Sequence, residues 1–275
     1  MGFRWLIWNN AKQAASLHLG RVYGIGDVRT ISADKWLEWH RAECPDAPLC
    51  LADEHLMTGR KGSPGWYGVS EADIIDSVRQ QAALARYLAH KSGRPVGIYH
   101  QIPYAVRSVV VPGAAEYNET LAAEYHGKLA LLDPLAATVD WIGPDLYMLA
   151  GESLRAWHRR AWFILNLCRD RWPTKWLWPY LMPDAYTAGG YRPLTADEWA
   201  AMLQLVQNQA DGAVLYLLPA AGAGGKPDYV APAVRGDDVR WQLAVAAAAP
   251  RTIDPLAIPG RPSPQQQRMK GSVNE

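Results

Sequence analysis

Two rhythms of apolar residues alternate along this chain. Short apolar runs bounded by turn residues lie at 3–9, 21–25, 49–53, 95–99, 139–147, 175–181 and 212–218, and each reads as a buried strand. Gly143-Pro144 interrupts the fifth. Between the runs, apolar residues recur every three to four positions, the mark of a helix with one buried face. Ser32 stands where it would cap a helix carrying Trp36 and Trp39 that stops near Pro45. Ser70 to Asp73 resembles a capping box before a stripe of Ile74, Ile75, Val78, Ala82, Ala85 and Leu88, closed by Gly93. A helix from about residue 116 carries Leu121, Tyr125, Leu129 and Leu132, and the next carries Leu154, Trp157, Ala161, Leu165 and Cys168. Thr195 and Glu198 form a capping box ahead of Trp199, Met202, Leu203 and Val206, and a last helix is expected over 237–248.

Seven strands separated by helices predict a parallel sheet covered by helices. A closed barrel and an open doubly wound sheet both satisfy that pattern. The barrel is favoured because the long segments follow strands while helix-to-strand connections are short, and barrels carry their function on such βα loops. No G-x-G-x-x-G follows the first strand, which weakens a dinucleotide-binding alternative. The expected fold is α/β, of the (β/α)8 TIM-barrel type with an incomplete or irregular strand count, over residues 1–249. Residues 250–275 are rich in Pro, Gln and Gly and have no helical stripe, so they read as an extended or disordered arm. Such an arm can lie across a neighbouring subunit.

Composition narrows the partners. With 49% hydrophobic and 20% charged residues, the 275-residue chain can build one large core. Its net charge of +1 argues against phosphate neutralisation on nucleic acid and against an acidic membrane surface. No apolar run is long enough to span a bilayer, and the start has no signal-peptide pattern, so synthesis in a cytoplasm is expected. The three cysteines have no metal-ligand spacing and suit reduced thiols; the seven histidines show no H-x-H or H-x-x-x-H, so neither a metal nor another cofactor is expected. Aromatic usage is lopsided, with 13 Trp and 13 Tyr against 2 Phe. Flat rings with a hydrogen-bonding edge suit half-polar ligands such as sugars, although a G+C-rich genome gives the same bias.

In a barrel the strand ends meet at one rim. In chain order they bring Asn9 and Asn10, Asp27, Asp53-Glu54-His55, Tyr99-His100-Gln101, Asp145 and Tyr147, Tyr180 and Asp184, then Tyr216. A carboxyl directly after a buried strand is costly unless solvated, paired or used, so Asp53 and Glu54 are either a general acid with its partner or the ends of an ion pair or loop cap. His100 reads as a hydrogen-bonded structural residue, Cys168 as core, and Arg155, His158, Arg159 and Arg160 as solvated charges on an outer helix face. The loops 59–65 and 221–225 read as mobile or plain rim loops, with Trp66-Tyr67 a stacking platform.

The acidic strand end, the long helix, then GRPVGIYHQIP, VDWIGPDLYML, KWLWPYLMPD and ADGAVLYLLP resemble hyaluronidase-like glycoside hydrolases and related barrels of phage and bacterial proteins, over roughly residues 49–219. In that family an Asp-x-Glu pair ends an early strand, the Glu serving as acid and the Asp assisting the substrate's acetamido group. The resemblance puts Glu54 at the acid and Ala52 where the family has Asp; alternate strand residues share a face, so Asp53 replaces it only if the strand has already turned into loop. Tyr99 and Tyr147 match family tyrosines, and Tyr216 falls where many relatives carry Trp.

Two classes of function follow. In the first, the chain is a glycoside hydrolase of a bacterial polysaccharide or cell-wall glycan, with Glu54 as acid, Asp53 or Asp145 as second carboxylate, and Tyr99, Tyr147, Trp178, Tyr180 and Tyr216 orienting the sugar. In the second, it is a non-catalytic barrel, structural or glycan-binding, in a larger assembly such as a phage particle, meeting virion partners or copies of itself through the C-terminal arm. An enzyme of a small phosphorylated metabolite is a weaker third.

Overall fold

The computed structural model describes residues 4–8, 20–26, 28, 30–52, 70–100, 102–103, 106, 108–187 and 190–216. Strands β1 (Arg4–Trp8), β2 (Gly20–Ile25), β3 (Leu49–Leu51), β4 (Val96–Tyr99), β5 (Trp141–Gly143), β6 (Trp176–Leu177), β7 (Tyr180–Leu181) and β10 (Gly212–Leu215) run parallel in one sheet. β6 and β7 belong to one stretch of chain. Trp178 and Tyr180 donate backbone N–H bonds to Ile142 and Pro144, while Val214 and Tyr216 donate to Pro179 and Leu181. That stretch therefore joins β5 on one side to β10 on the other, and β10 pairs with β1, so the eight hydrogen-bonded segments close into a ring of seven strands. The sequence runs anticipate all seven. The helix expected over 237–248 and the arm 250–275 lie outside the described residues.

Five helices begin where a short polar side chain satisfies a free backbone N–H. Ser32, Ser70, Asn118, Ser153 and Thr195 accept from Lys35, Asp73, Leu121, Ala156 and Glu198, opening α1 (Ala33–Glu43), α2 (Glu71–Ser92), α3 (Glu119–Leu129), α5 (Leu154–Arg171) and α6 (Ala196–Gln209). Gly93 closes α2 in the left-handed conformation, φ 66°, which a glycine adopts without strain. Between α3 and α5 a single 3-10 turn and the short α4 (Asp133–Thr138) feed β5. The stripe expected to run on from α3 to Leu132 is thus divided between α3 and the 3-10 turn, and the short helix that follows has Pro134 in its first turn.

Strand alternation sorts the interior into two layers. Ile25, Leu49, Leu51, Ile98, Ile142, Leu177, Leu181 and Leu215 face outward and pack with the helix stripes. Val22, Cys50, Trp141, Trp178, Tyr180 and Val214 face inward. Rings dominate that inner layer: Trp176 stacks on Trp178, Trp178 lies 5.1 Å from Trp141, and Tyr180 meets Tyr99 at 4.6 Å between centroids. Space for them comes from glycine. A Cβ on Gly97 would lie 1.9 Å from the Trp141 ring, and one on Gly143 would lie 2.6 Å from Tyr180.

Sequence patterning missed one element, a hairpin of β8 (Asp184–Thr187) and β9 (Gly190–Pro193) after β7. Its signal in the sequence was the Gly189-Gly190 pair between short runs. Tyr186 donates a backbone bond to Met148, which ties the hairpin to the segment beyond β5.

The glycine requirement is testable. Gly97→Ala is expected to destabilise the fold by about 1–3 kcal/mol or more, as overpacking does. Urea unfolding followed by tryptophan fluorescence reads it, and Gly97→Ala combined with Trp141→Leu should recover part of the loss.

Candidate active site

The carboxyl ends of the strands form a mouth above the ring column. Asp145 sits two residues past β5, with its backbone fixed on both sides: Tyr180 donates to the Pro144 carbonyl at 2.8 Å, and Leu146 donates to the Tyr180 carbonyl at 2.9 Å. His100 follows β4 directly, and its amide donates to Gly143 at 2.9 Å. The His100 Nδ1 lies 2.7 Å from Asp145 Oδ1, with the two side chains 24% and 22% exposed. An acid–base pair thus stands partly open to solvent at the rim. His100, expected to be a hydrogen-bonded structural residue, makes this contact at the rim; nothing in the sequence marked its partner, because the contact joins two strand ends.

Tyrosines surround the pair. Tyr147 lies 6.5 Å from Tyr99, 6.3 Å from Tyr186 and 6.0 Å from Tyr216, measured between ring centroids. Tyr99, Tyr186 and Tyr216 are partly exposed, whereas Tyr147 is buried. Burial, with the negative charge of Asp145 adding to it, holds the Tyr99 phenol well above the ordinary tyrosine range, and burial does the same for Tyr147. These rings stay neutral hydrogen-bonding groups. The structure adds Tyr186, supplied by the hairpin, to the expected set.

Trp178 and Tyr180, expected to orient a ligand, lie one layer deeper. Trp178 is 3% exposed between Trp141 and Trp176, and Tyr180 is 1% exposed with its hydroxyl donating to Cys50 Sγ at 3.1 Å. They form the floor under the mouth. Asp184 is fully buried below the hairpin start. Asp53, Glu54, His55, Asn9, Asn10, Asp27, Gln101, the loops 59–65 and 221–225, and Trp66-Tyr67 lie outside the described residues. Ala52, the last described residue before Asp53, continues β3 next to β4, whose register aligns Leu51 with Ile98. Among the described residues no cluster of three or more His, Cys, Asp or Glu side chains could hold a metal ion.

A buried ion pair supports the wall from outside. Arg160 was expected on a solvated face, yet it is 4% exposed. Its guanidinium grips both oxygens of Glu152 at 2.8 Å and donates to the Tyr147 carbonyl at 2.6 Å. Residue spacing on α5 put Arg160 beside Arg159; only the chain folding back after β5 gives it a partner. Trp157, one turn earlier, donates to the Leu146 carbonyl at 2.7 Å, so α5 secures the backbone on either side of Tyr147.

No protein-family model and no curated protein matches the sequence. Solved structures do match. Bee venom hyaluronidase aligns with 78% of this chain and 91% of its own, with a TM-score of 0.52 and 11% identity. The same enzyme in complex with a hyaluronic acid tetramer gives 0.51, covering 78% and 90% at 11% identity. A GH128 endo-β-1,3-glucanase from Amycolatopsis mediterranei with laminaripentaose gives 0.44, covering 78% and 88% at 12% identity. The likeness is one of fold. The chain is a parallel α/β barrel of the type seen in bee venom hyaluronidase.

Two outcomes check this site. Arg160→Ala leaves Glu152 buried without its cation and should cost about 3–5 kcal/mol in chemical unfolding, with Glu152→Gln in the same background recovering part of it. Burial pushes the Cys50 and Cys168 thiols far up, whereas Cys44 is half-buried. Ellman's reagent should therefore modify Cys44 in the native protein and the other two only on unfolding; fast labelling of Cys50 would show that the floor is open.

Proposed function

We propose that this barrel hydrolyses a glycosidic bond in a bacterial polysaccharide or cell-wall glycan. The observation that carries the reading is Asp145, a carboxylate held on a rigid backbone at the mouth of a hyaluronidase-like barrel and walled by tyrosine rings. Cleaving such a bond requires a proton donor at the leaving oxygen and a second carboxylate, acting on water or on the sugar itself. Glu54 is the proposed acid and Asp145 the second carboxylate, with Asp53 the alternative partner. The support for Glu54 is that β3 delivers the chain to the rim beside Tyr99. Tyr99, Tyr147, Tyr186 and Tyr216 supply ring faces and hydroxyls for the sugar. A carboxyl separation of about 5–5.5 Å specifies retention and one of about 6.5–9.5 Å inversion.

A second reading draws on Ala52. It stands where hyaluronidase-like enzymes have an acidic residue, so the barrel would bind a glycan without cutting it, as a component of an assembly such as a phage particle. One experiment separates the two. Against a panel of bacterial glycans, Glu54→Gln should lower turnover by about 10²–10⁴-fold while binding and unfolding midpoint stay unchanged. If the unaltered protein cleaves none of the panel yet binds one of its members, the second reading holds and the first is wrong.

A further inference from the structure

We propose that His100 is a positioning residue for Asp145, holding that carboxylate directed into the mouth. Its kinetic consequence rests on the hydrolase reading above; the pairing itself does not. Three observations converge. The first is the contact: Nδ1 lies 2.7 Å from Oδ1 and is shut off from solvent. Two bare lone pairs at that separation repel, so a proton lies between them, on the nitrogen facing Asp145.

The second is the backbone. His100 has φ 61°, the left-handed region otherwise occupied among the described residues by Gly93, Gly113 and Gly151. In an extended strand residue 100 would share the outward face of Ile98, which packs under the helices. The reversal at His100 instead delivers the imidazole to Asp145, which is in step with the inward-facing Trp141 and Tyr147. Strain of this kind persists where surrounding contacts over-determine it, and it collects at ligand sites. Here the contacts are the amide bond to Gly143 and the ring packing on Tyr99 at 5.5 Å.

The third is the setting. Beside the pair, the titratable groups among the described residues that are coupled to Tyr99 are Asp145 and the phenols of Tyr147, Tyr186 and Tyr216, and burial keeps Tyr99 and Tyr147 neutral. Among the described residues the basic partner of Asp145 is His100, cationic only when protonated. Deprotonation of the imidazole removes that counter-charge, while the Nδ1–H tautomer keeps the clamp.

Histidine side-chain ¹H–¹⁵N spectra across pH test the pairing, with His100 assigned by its loss in His100→Asn. Nδ1 should remain protonated throughout, and Asp145→Asn should lower the His100 midpoint by about one pH unit or more. A bare Nδ1, or a midpoint indifferent to Asp145→Asn, overturns the proposal. Kinetics test the positioning. His100→Gly relieves the backbone but removes the donor, so it should unfold no earlier than the parent yet lose about 10–100-fold in kcat with KM little changed. His100→Asn tolerates the same φ and keeps an N–H donor, so it should recover most of that loss while the limb of the pH profile due to the imidazole disappears. A Gly variant that matches the parent in kcat and pH profile also overturns it. If the parent cleaves nothing, the hydrolase reading fails while the spectra still decide the pairing.

Discussion

Trp141 and Tyr180 reach across the barrel because positions 97 and 143 carry no side chain, and with Trp176, Trp178 and Tyr99 they fill the space that seven strands enclose. A ring of parallel strands is stable only when its interior is packed, usually by branched aliphatic residues in layers. Here large flat rings do that work, and glycine on the facing strands is the complement they require. The packing fixes the strand ends and makes the mouth above it a rigid surface. The aromatic bias of the composition thus has two sources: part of it builds the core, and part lines the rim.

Depth decides what each ring can do. Trp178 and Tyr180 are committed to the floor, and the Tyr180 hydroxyl already has Cys50 as its acceptor. Tyr99, Tyr147, Tyr186 and Tyr216 stand higher, around Asp145 and His100, in surroundings dry enough to keep the buried phenols neutral. A neutral phenol beside a carboxylate offers a hydrogen bond without competing for its charge. That combination suits a ligand of hydroxyls and C–H faces. Outside the barrel, Arg160 and Trp157 tie α5 to the two carbonyls that flank the rim, so the site depends on the helix layer as well.

Much of the architecture was legible beforehand. Capping side chains at Ser32, Ser70 and Thr195 announced helix starts because the hydrogen bond they make is local. The seven apolar runs announced the strands because a strand covered on both faces must be apolar at nearly every position. Closure into a ring was inferred from connection lengths and then found in the ladder that β6 and β7 make with both neighbours. The hairpin went unread because its short alternating runs form a separate two-stranded sheet outside the barrel.

The rim was only partly legible. Asp145, Tyr99, Tyr147 and Tyr216 were identifiable as strand-end residues, since position along a parallel strand determines which end of the barrel a side chain occupies. Depth was not: Tyr147, Trp178 and Tyr180 are buried, while Tyr99 and Tyr216 are partly exposed. The His100–Asp145 contact, the burial of Arg160 against Glu152 and the arrival of Tyr186 each join segments far apart in the chain. Local patterning determined which elements form and which face each one buries, because those choices depend on neighbours within a few residues. Partnership at the mouth was decided by closure of the barrel, because only then do separate strand ends come within bonding distance.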